Sequence, residues 1–156
     1  MSDPLSKFRG DAAAKPQARV TGETGNRKKA YEPFDTSGKP CSYTEIRCIL
    51  QPSQAPQSRF LMAVVFSADY DDAFSLIYSF MAVEVRGNNL KEIRRAIQNG
   101  RCEFIQEYHE EEFVKPPKNL PVIESIKFIT GEKLDDILTA YKLDFIHIKQ
   151  QKRASG

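Results

Sequence analysis

The sequence predicts an α+β domain: a mainly antiparallel sheet of about five strands with two amphipathic helices on one side, preceded by a disordered amino-terminal segment. Three observations support this fold class. From about residue 41 onward, apolar runs of strand length alternate with turn-forming residues. Two further stretches place apolar residues at helical spacing. The resulting order of elements is β, β, β, α, β, β, α, which is typical of a sheet with its helices packed against it.

The first forty residues differ in composition from the remainder. They hold four of the eight glycines and four of the nine prolines, and their only large aliphatic residues are Leu5 and Val20. Such a segment buries too little apolar area to offset about 1–2 kcal/mol of backbone entropy per residue. The sequence therefore predicts a disordered basic tail over residues 1–40, one α+β domain over 41–148 and a basic tail over 149–156.

The first three strands are predicted from apolar runs. A short β-like run starts at Tyr43 and closes with Arg47–Leu50, and residues 51–58 form a polar loop with two prolines. Phe60–Phe66 is a seven-residue apolar run that ends in an acidic turn. Leu76–Val85 carries aromatic and β-branched residues on both faces, which favours a single strand, covered on both sides and ended by Gly87, over a short buried helix.

The next segment predicts a short amphipathic helix. Asn89 is the expected N-cap, Glu92 completes a pair resembling a capping box, and Gly100 is the expected C′ residue. The apolar residues between them fall on one face: Leu90, Ile93 and Ile97.

The carboxyl-terminal third predicts two strands and a second helix. The strands are Arg101–Tyr108 and Val122–Thr130, joined by a loop over residues 110–121 that contains three prolines. Alternation in the second strand predicts that its core-facing residues are Val122, Ile126 and Phe128. The second helix is predicted from apolar residues at i, i+3, i+4 and i+7: Leu134, Ile137, Leu138 and Tyr141. The pattern of residues 143–148 fits either a continuation of this helix or a terminal strand.

Charge and cysteine content give expectations about environment. Residues 1–40 hold eight basic and five acidic residues, residues 41–148 hold twelve and sixteen, and residues 149–156 hold three and none. The basic pI thus belongs to the tails, and the domain itself is slightly acidic.

The longest apolar stretch is half of what a bilayer crossing requires, so no membrane partner is expected. The amino terminus lacks the apolar core of a signal peptide and three cysteines cannot all pair within the chain, so we expect a cytoplasmic protein.

The sequence does not satisfy the spacing requirements of metal, nucleotide or hydrolytic sites. Cys41 and Cys48 are separated by six residues, as are Cys102 and His109, whereas structural zinc sites pair ligands two to four residues apart. Residues 22–29 lack the second glycine and the strand and helix that a phosphate-binding loop needs. We therefore predict no metal site, no cofactor and no catalytic residue.

Three functional hypotheses remain. The first is a non-catalytic binding or adaptor domain that contacts a protein partner, or a second copy of itself, through a sheet edge, the first helix or the acidic loop. Its predicted binding residues are Lys91, Arg94, Arg95 and Gln98 on the helix and Glu110, Glu111 and Glu112 in the loop. The second is a nucleic-acid-associated protein that uses the same basic stripe together with the tails. The third is a small enzyme that uses His109 with nearby carboxylates.

Overall fold

The computed structural model describes residues 27–141. Its strands are β1 (Glu45–Arg47), β2 (Leu61–Phe66), β3 (Ala73–Tyr78), β4 (Ala82–Asn88), β5 (Phe104–Gln106) and β6 (Val122–Ile129), and its helices are α1 (Lys91–Gln98) and α2 (Glu132–Ala140). Four strands form an antiparallel sheet in the order β2-β3-β4-β6, and β1 pairs with β5 in parallel. The predicted α+β class with a mainly antiparallel sheet is therefore confirmed.

The run predicted as one strand, Leu76–Val85, is instead a β-hairpin. β3 and β4 pair through Ala73 opposite Arg86 and Ile77 opposite Ala82. The amide of Tyr78 donates to the carbonyl of Met81 at 2.8 Å, which closes the turn. The turn contains no glycine, proline, asparagine or aspartate, and apolar residues continue on both sides of it, so the usual signal for a reversal is missing.

The two helices cover opposite faces of the antiparallel sheet, not one side as predicted. Alternate residues of β3 show this, because Phe74 and Leu76 belong to the cluster that contains Ile93 of α1. Ile77, from the same strand, packs with Leu134 of α2 in a separate cluster. Since neighbouring side chains of a strand point to opposite faces, and β3 is apolar on both, each face requires its own cover.

Part of the segment assigned to the disordered tail is packed against the domain. The amide of Lys29 donates to the carbonyl of Glu112 at 2.9 Å, and Phe34 forms a β-bridge with Ile105. The Tyr31 hydroxyl donates to the carbonyl of Gln106 at 2.7 Å. The domain thus begins earlier than residue 41. The predictions for residues 1–26, for 143–148 and for the basic tail over 149–156 lie outside the described residues.

The ends of α1 differ from the prediction at one terminus and agree at the other. Asn89 adopts a positive φ of 57° and makes no cap. Its side-chain amide nitrogen instead donates to the carbonyls of Lys118 and Leu120. At the other end Gly100 has a φ of 66°. Its backbone amide donates to the carbonyl of Ile97, and the backbone amide of Arg101 donates to the carbonyl of Ala96. This is the expected glycine-terminated Schellman arrangement.

A bulge changes which residues of β6 face the core. Arg86 pairs with Ser125, but Gly87 pairs with Ile123, so Glu124 is an extra residue on β6. The bulge places Ile123, which is fully buried, on the same face as Ile126. The prediction of Val122 as a core residue is therefore corrected to Ile123, because strict alternation fails across a bulge.

Candidate functional site

The predicted basic stripe on α1 is divided by burial. Lys91, Arg95 and Gln98 are exposed, whereas Arg94 is buried. The guanidinium carbon of Arg94 lies 3.6 Å from the centroid of the Phe66 ring, and its nitrogen donates to the Gln98 side chain at 3.3 Å. Arg94 therefore joins α1 to β2 instead of extending the stripe, and Lys91 and Arg95 are the exposed cations of the helix.

The acidic loop forms an exposed turn closed by His109. Glu110, Glu111 and Glu112 are all exposed. The carbonyl of His109 accepts from the amides of Glu112 and Phe113, and its Nδ1 accepts from the amide of Glu111 at 3.3 Å. The imidazole is thus engaged in a local turn, and it lines none of the three cavities described below.

Two of the three thiols, those of Cys48 and Cys102, are held as neutral packing groups. Burial raises the pKa of Cys48 to about 11 and that of Cys102 to about 12. A thiol is nucleophilic as its thiolate, so neither residue is activated at neutral pH. Across residues 27–141 no three side chains of the metal-ligating types come together.

β2 is an edge strand composed entirely of apolar residues. Its six residues are Leu61-Met62-Ala63-Val64-Val65-Phe66, and the first five are half-buried. Within the part of the chain that is described, β3 is its only partner in the sheet. One row of backbone donors and acceptors on β2 therefore has no strand beside it. We call this row the β2 edge. The sequence predicts a sheet edge as a contact surface but does not indicate which strand forms it.

The two ends of the β2 edge carry different side chains. At its amino-terminal end Phe60, 38% exposed, meets Phe80, 48% exposed, with ring centroids 6.0 Å apart in an edge-to-face arrangement. The guanidinium of Arg59 lies 4.7 Å from the Phe60 ring centroid. At the carboxyl-terminal end the chain enters an exposed acidic turn that contains Asp69, Asp71 and Asp72. The edge is thus basic at one end and acidic at the other.

A cavity of about 390 Å³ lies beside the proline-containing loop. We call it the Lys–Pro cavity, because Lys115, Pro116, Pro117 and Lys118 form one wall. The opposite wall is contributed by the polypeptide around Tyr108 and by the start of β6, and its remaining lining residues are Asn88, Val122 and Glu124. Its volume falls in the range of small-molecule sites.

Two other cavities have less suitable walls. One, of about 330 Å³, has the carboxylates of Asp35 and Glu103 and one cation, Lys39, in its lining. The other, of about 220 Å³, lies between β2, β3 and β4 and is bounded by Tyr141, the last described residue. Neither has the mainly apolar wall that is typical of ligand sites.

Comparison of the chain with models of known protein families, with curated proteins and with solved structures finds no match. Neither helix of the described segment has the length and apolar character needed to cross a bilayer. Arguments about function therefore rest on the surfaces and cavities of the chain itself.

Proposed function

We propose that the chain is a non-catalytic protein-binding domain that accepts an extended strand at the β2 edge. The observation that carries this proposal is the composition of β2, which has six apolar residues, no charge and no proline on an edge strand. Proteins usually protect such edges with charged residues, proline or short strands, because an unpaired apolar edge pairs readily with another chain. β2 has none of these three protections; a bulge at Met62 interrupts its pairing with β3, so the regular part of the edge, residues 63–66, is favoured as the contact surface.

The chemistry of strand addition fits the exposed groups. An added strand would satisfy the free backbone groups of β2 and cover side chains that are now half-buried. Phe60 and Phe80 would extend the apolar contact beyond the strand, and aromatic residues are favoured anchors at interfaces.

The partner that the charges favour is a second copy of the chain in antiparallel orientation. That orientation brings Arg59 of one copy to the end of β2 in the other copy, where Asp69 and Asp71 are exposed. A parallel orientation would place Arg59 beside Arg59 and acidic turn beside acidic turn, and like charges in close contact are destabilising. Antiparallel pairing would also join two four-stranded sheets into one continuous sheet.

A charge exchange tests this partner without altering the core. Arg59→Glu and Asp69→Arg each replace an attraction by a repulsion at both symmetric ends of the interface, so we expect each to weaken self-association about tenfold at low salt. The combined variant restores opposite charges and should recover the association. Lys127→Glu, exposed on β6 at the opposite edge of the sheet, is the control for a change of net charge. The measurement is sedimentation equilibrium at several protein concentrations.

Hydrogen exchange identifies the surface independently. In β2, the amides of the unpaired row should exchange more slowly as protein concentration rises, whereas the β2 amides already bonded to β3, and those of β3 itself, should not change. A chain that stays monomeric at millimolar concentration would overturn the second copy as partner. A dimer that ignores the charge exchange and leaves the β2 amides unprotected would overturn the edge itself.

A further inference from the structure

The wall of the Lys–Pro cavity that faces the loop is an ordered aromatic surface. The ring of Tyr108 lies 5.2 Å from that of Tyr31, at an interplanar angle of 81°, and 6.3 Å from that of Phe113. The hydroxyl of Tyr31 donates to Gln106 at 2.7 Å and accepts from the amide of Ile123 at 2.9 Å. Tyr108 is therefore supported by Tyr31, whose hydroxyl is bonded to the backbone of β5 and β6.

The loop that forms the other wall is also fixed in place. Asn89 donates to the carbonyls of Lys118 and Leu120 at 3.2 and 3.4 Å, and the amide of Val114 donates to Lys29 at 2.9 Å. Between these anchors Pro116 and Pro117 have restricted φ angles. A cavity whose walls are fixed before binding loses little conformational entropy when a ligand enters.

The charges around the cavity favour an anion. Lys115 and Lys118 are exposed at its margin, and the only ion pair among residues 27–141 joins Arg47 to Glu45, so neither ammonium group is neutralised there. The one carboxylate in the lining, Glu124, already accepts a hydrogen bond from Asn88 at 2.9 Å. The lining thus has an excess of one positive charge, and among residues 27–141 neither of its ammonium groups has a carboxylate partner.

We propose that the Lys–Pro cavity binds a small organic anion with a planar apolar body. The body would lie against Tyr108, Pro116 and Val122, and its carboxylate or phosphate group would be held by Lys115 and Lys118. Such a site combines an apolar wall with a few placed polar groups, as ligand sites generally do. This inference does not depend on the β2 edge, because no residue is shared between the two surfaces.

Benzoate and phenyl phosphate are suitable probes, with benzyl alcohol as the neutral analogue and inorganic phosphate as the anion without a ring. Binding is followed by amide chemical shifts in an NMR titration of the full chain. We expect both aromatic anions to shift residues 108 and 115–124 and to bind at least about tenfold more tightly than either control compound, since both parts of the site are then used. The ratio between benzoate and phenyl phosphate identifies the preferred anionic group.

Two double variants separate this site from general electrostatic attraction. Lys115→Gln with Lys118→Gln should weaken binding of the aromatic anions about tenfold or more, while leaving the resonances of the core unchanged. Lys39→Gln with Lys133→Gln removes the same charge from exposed positions that do not line the cavity, and should leave the affinity unchanged. Three outcomes would overturn the proposal. The two double variants could lose affinity equally, or inorganic phosphate could bind as tightly as the aromatic anions. The third is the absence of any shift at about 10 mM probe, which is near the weakest measurable affinity.

Discussion

Gly87 is the residue whose lack of a side chain is required most directly by the fold. A β-carbon at this position would overlap the carbonyl of Val122 on β6. The obstruction is backbone, so it cannot be relieved by a rotamer change. The sequence predicts that Gly87 ends a strand. In the structure this glycine lies within β4 and permits the close approach of β6 at the bulge.

Gly87→Ala should therefore lower the free energy of unfolding by about 3 kcal/mol, as overpacking against a rigid neighbour does. Gly38→Ala is the matched control, because Gly38 has a φ of 70° and open space around it. There the cost is conformational only, about 1 kcal/mol. Urea denaturation of both variants measures the difference, and equal losses would show that the contact with Val122 is relieved.

Tyr31 is a residue whose structural role the sequence pattern does not predict. It lies in a segment rich in basic residues, glycine and proline, and isolated aromatic residues give no periodic signal. Its partners, Gln106 and Ile123, are distant in sequence and come together only in the folded chain. Burial raises the pKa of its hydroxyl, which remains a donor and acceptor at all moderate pH values.

Among the elements, α1 shows how a residue can be placed correctly on a helix and still be misread. Arg94 is polar and falls beside Lys91 and Arg95 on the helical wheel, so it was grouped with the exposed cations. The neighbouring strand supplies Phe66 as an aromatic surface for it. An arginine that packs on a ring has the same sequence pattern as one that points to solvent.

The pair Arg94 and Arg95 provides an internal comparison. Arg94→Ala should lower the free energy of unfolding by about 1–2 kcal/mol, because it removes the stacking on Phe66 and the bond to Gln98. Arg95→Ala, one residue further along the same helix, should change it by less than about 0.5 kcal/mol. Thermal or chemical denaturation distinguishes the two, and indistinguishable variants would mean that the stacking contributes nothing to stability.

Local chemistry marks some element ends correctly and others wrongly, since Asn89 is not the N-cap of α1 and Gly87 does not end a strand. Gly100 marks the end of α1, and the acidic residues after Phe66 mark the end of β2. The β3–β4 turn was missed because Ser79 and Phe80 carry no turn signal. The placement of α2 on the second face depends on Ile77 and Leu134 meeting across the sheet, which no local pattern encodes.

For the whole molecule, thiols and phenols whose pKa is raised by burial contribute to the response to alkaline pH. The pKa values of Cys48, Cys102 and Tyr78 are raised by burial to about 11, 12 and 12, against ordinary values of 9.0 and 10.0. These groups favour the folded state while they are neutral. Their contribution is fully present below the ordinary pKa and is lost as the pH rises toward the raised one.

Stability should therefore decline between about pH 9 and pH 12, because the unfolded chain releases these protons first. Cys102→Ala should flatten this decline, although it also removes packing and so lowers stability at neutral pH. Denaturation curves at pH 8, 9.5 and 10.5, chosen from the usual thiol range, measure the effect. An unchanged slope in the variant would contradict the assignment to Cys102.

The candidate sites were less predictable than the fold. The Lys–Pro cavity brings Asn88 and Tyr108 to a loop that was predicted only as a connection. The β2 edge emerged from strand order, which the sequence does not give. Both sites depend on long-range placement, whereas Glu110–Glu112 and the α1 stripe were chosen because their residues are close in sequence.

The parallel pairing of β1 with β5 has a consequence for how the chain is made. Glu45 pairs with Phe104, and β2, β3, β4 and α1 all lie between them in the chain. During synthesis the β2–β3–β4 meander can close as soon as it emerges, whereas β1 must wait for a partner that appears much later. Bringing such distant segments together is entropically unfavourable and slow. The docking of β1 should thus follow closure of the meander, and a nascent chain that stops before residue 104 should leave β1 accessible to proteases.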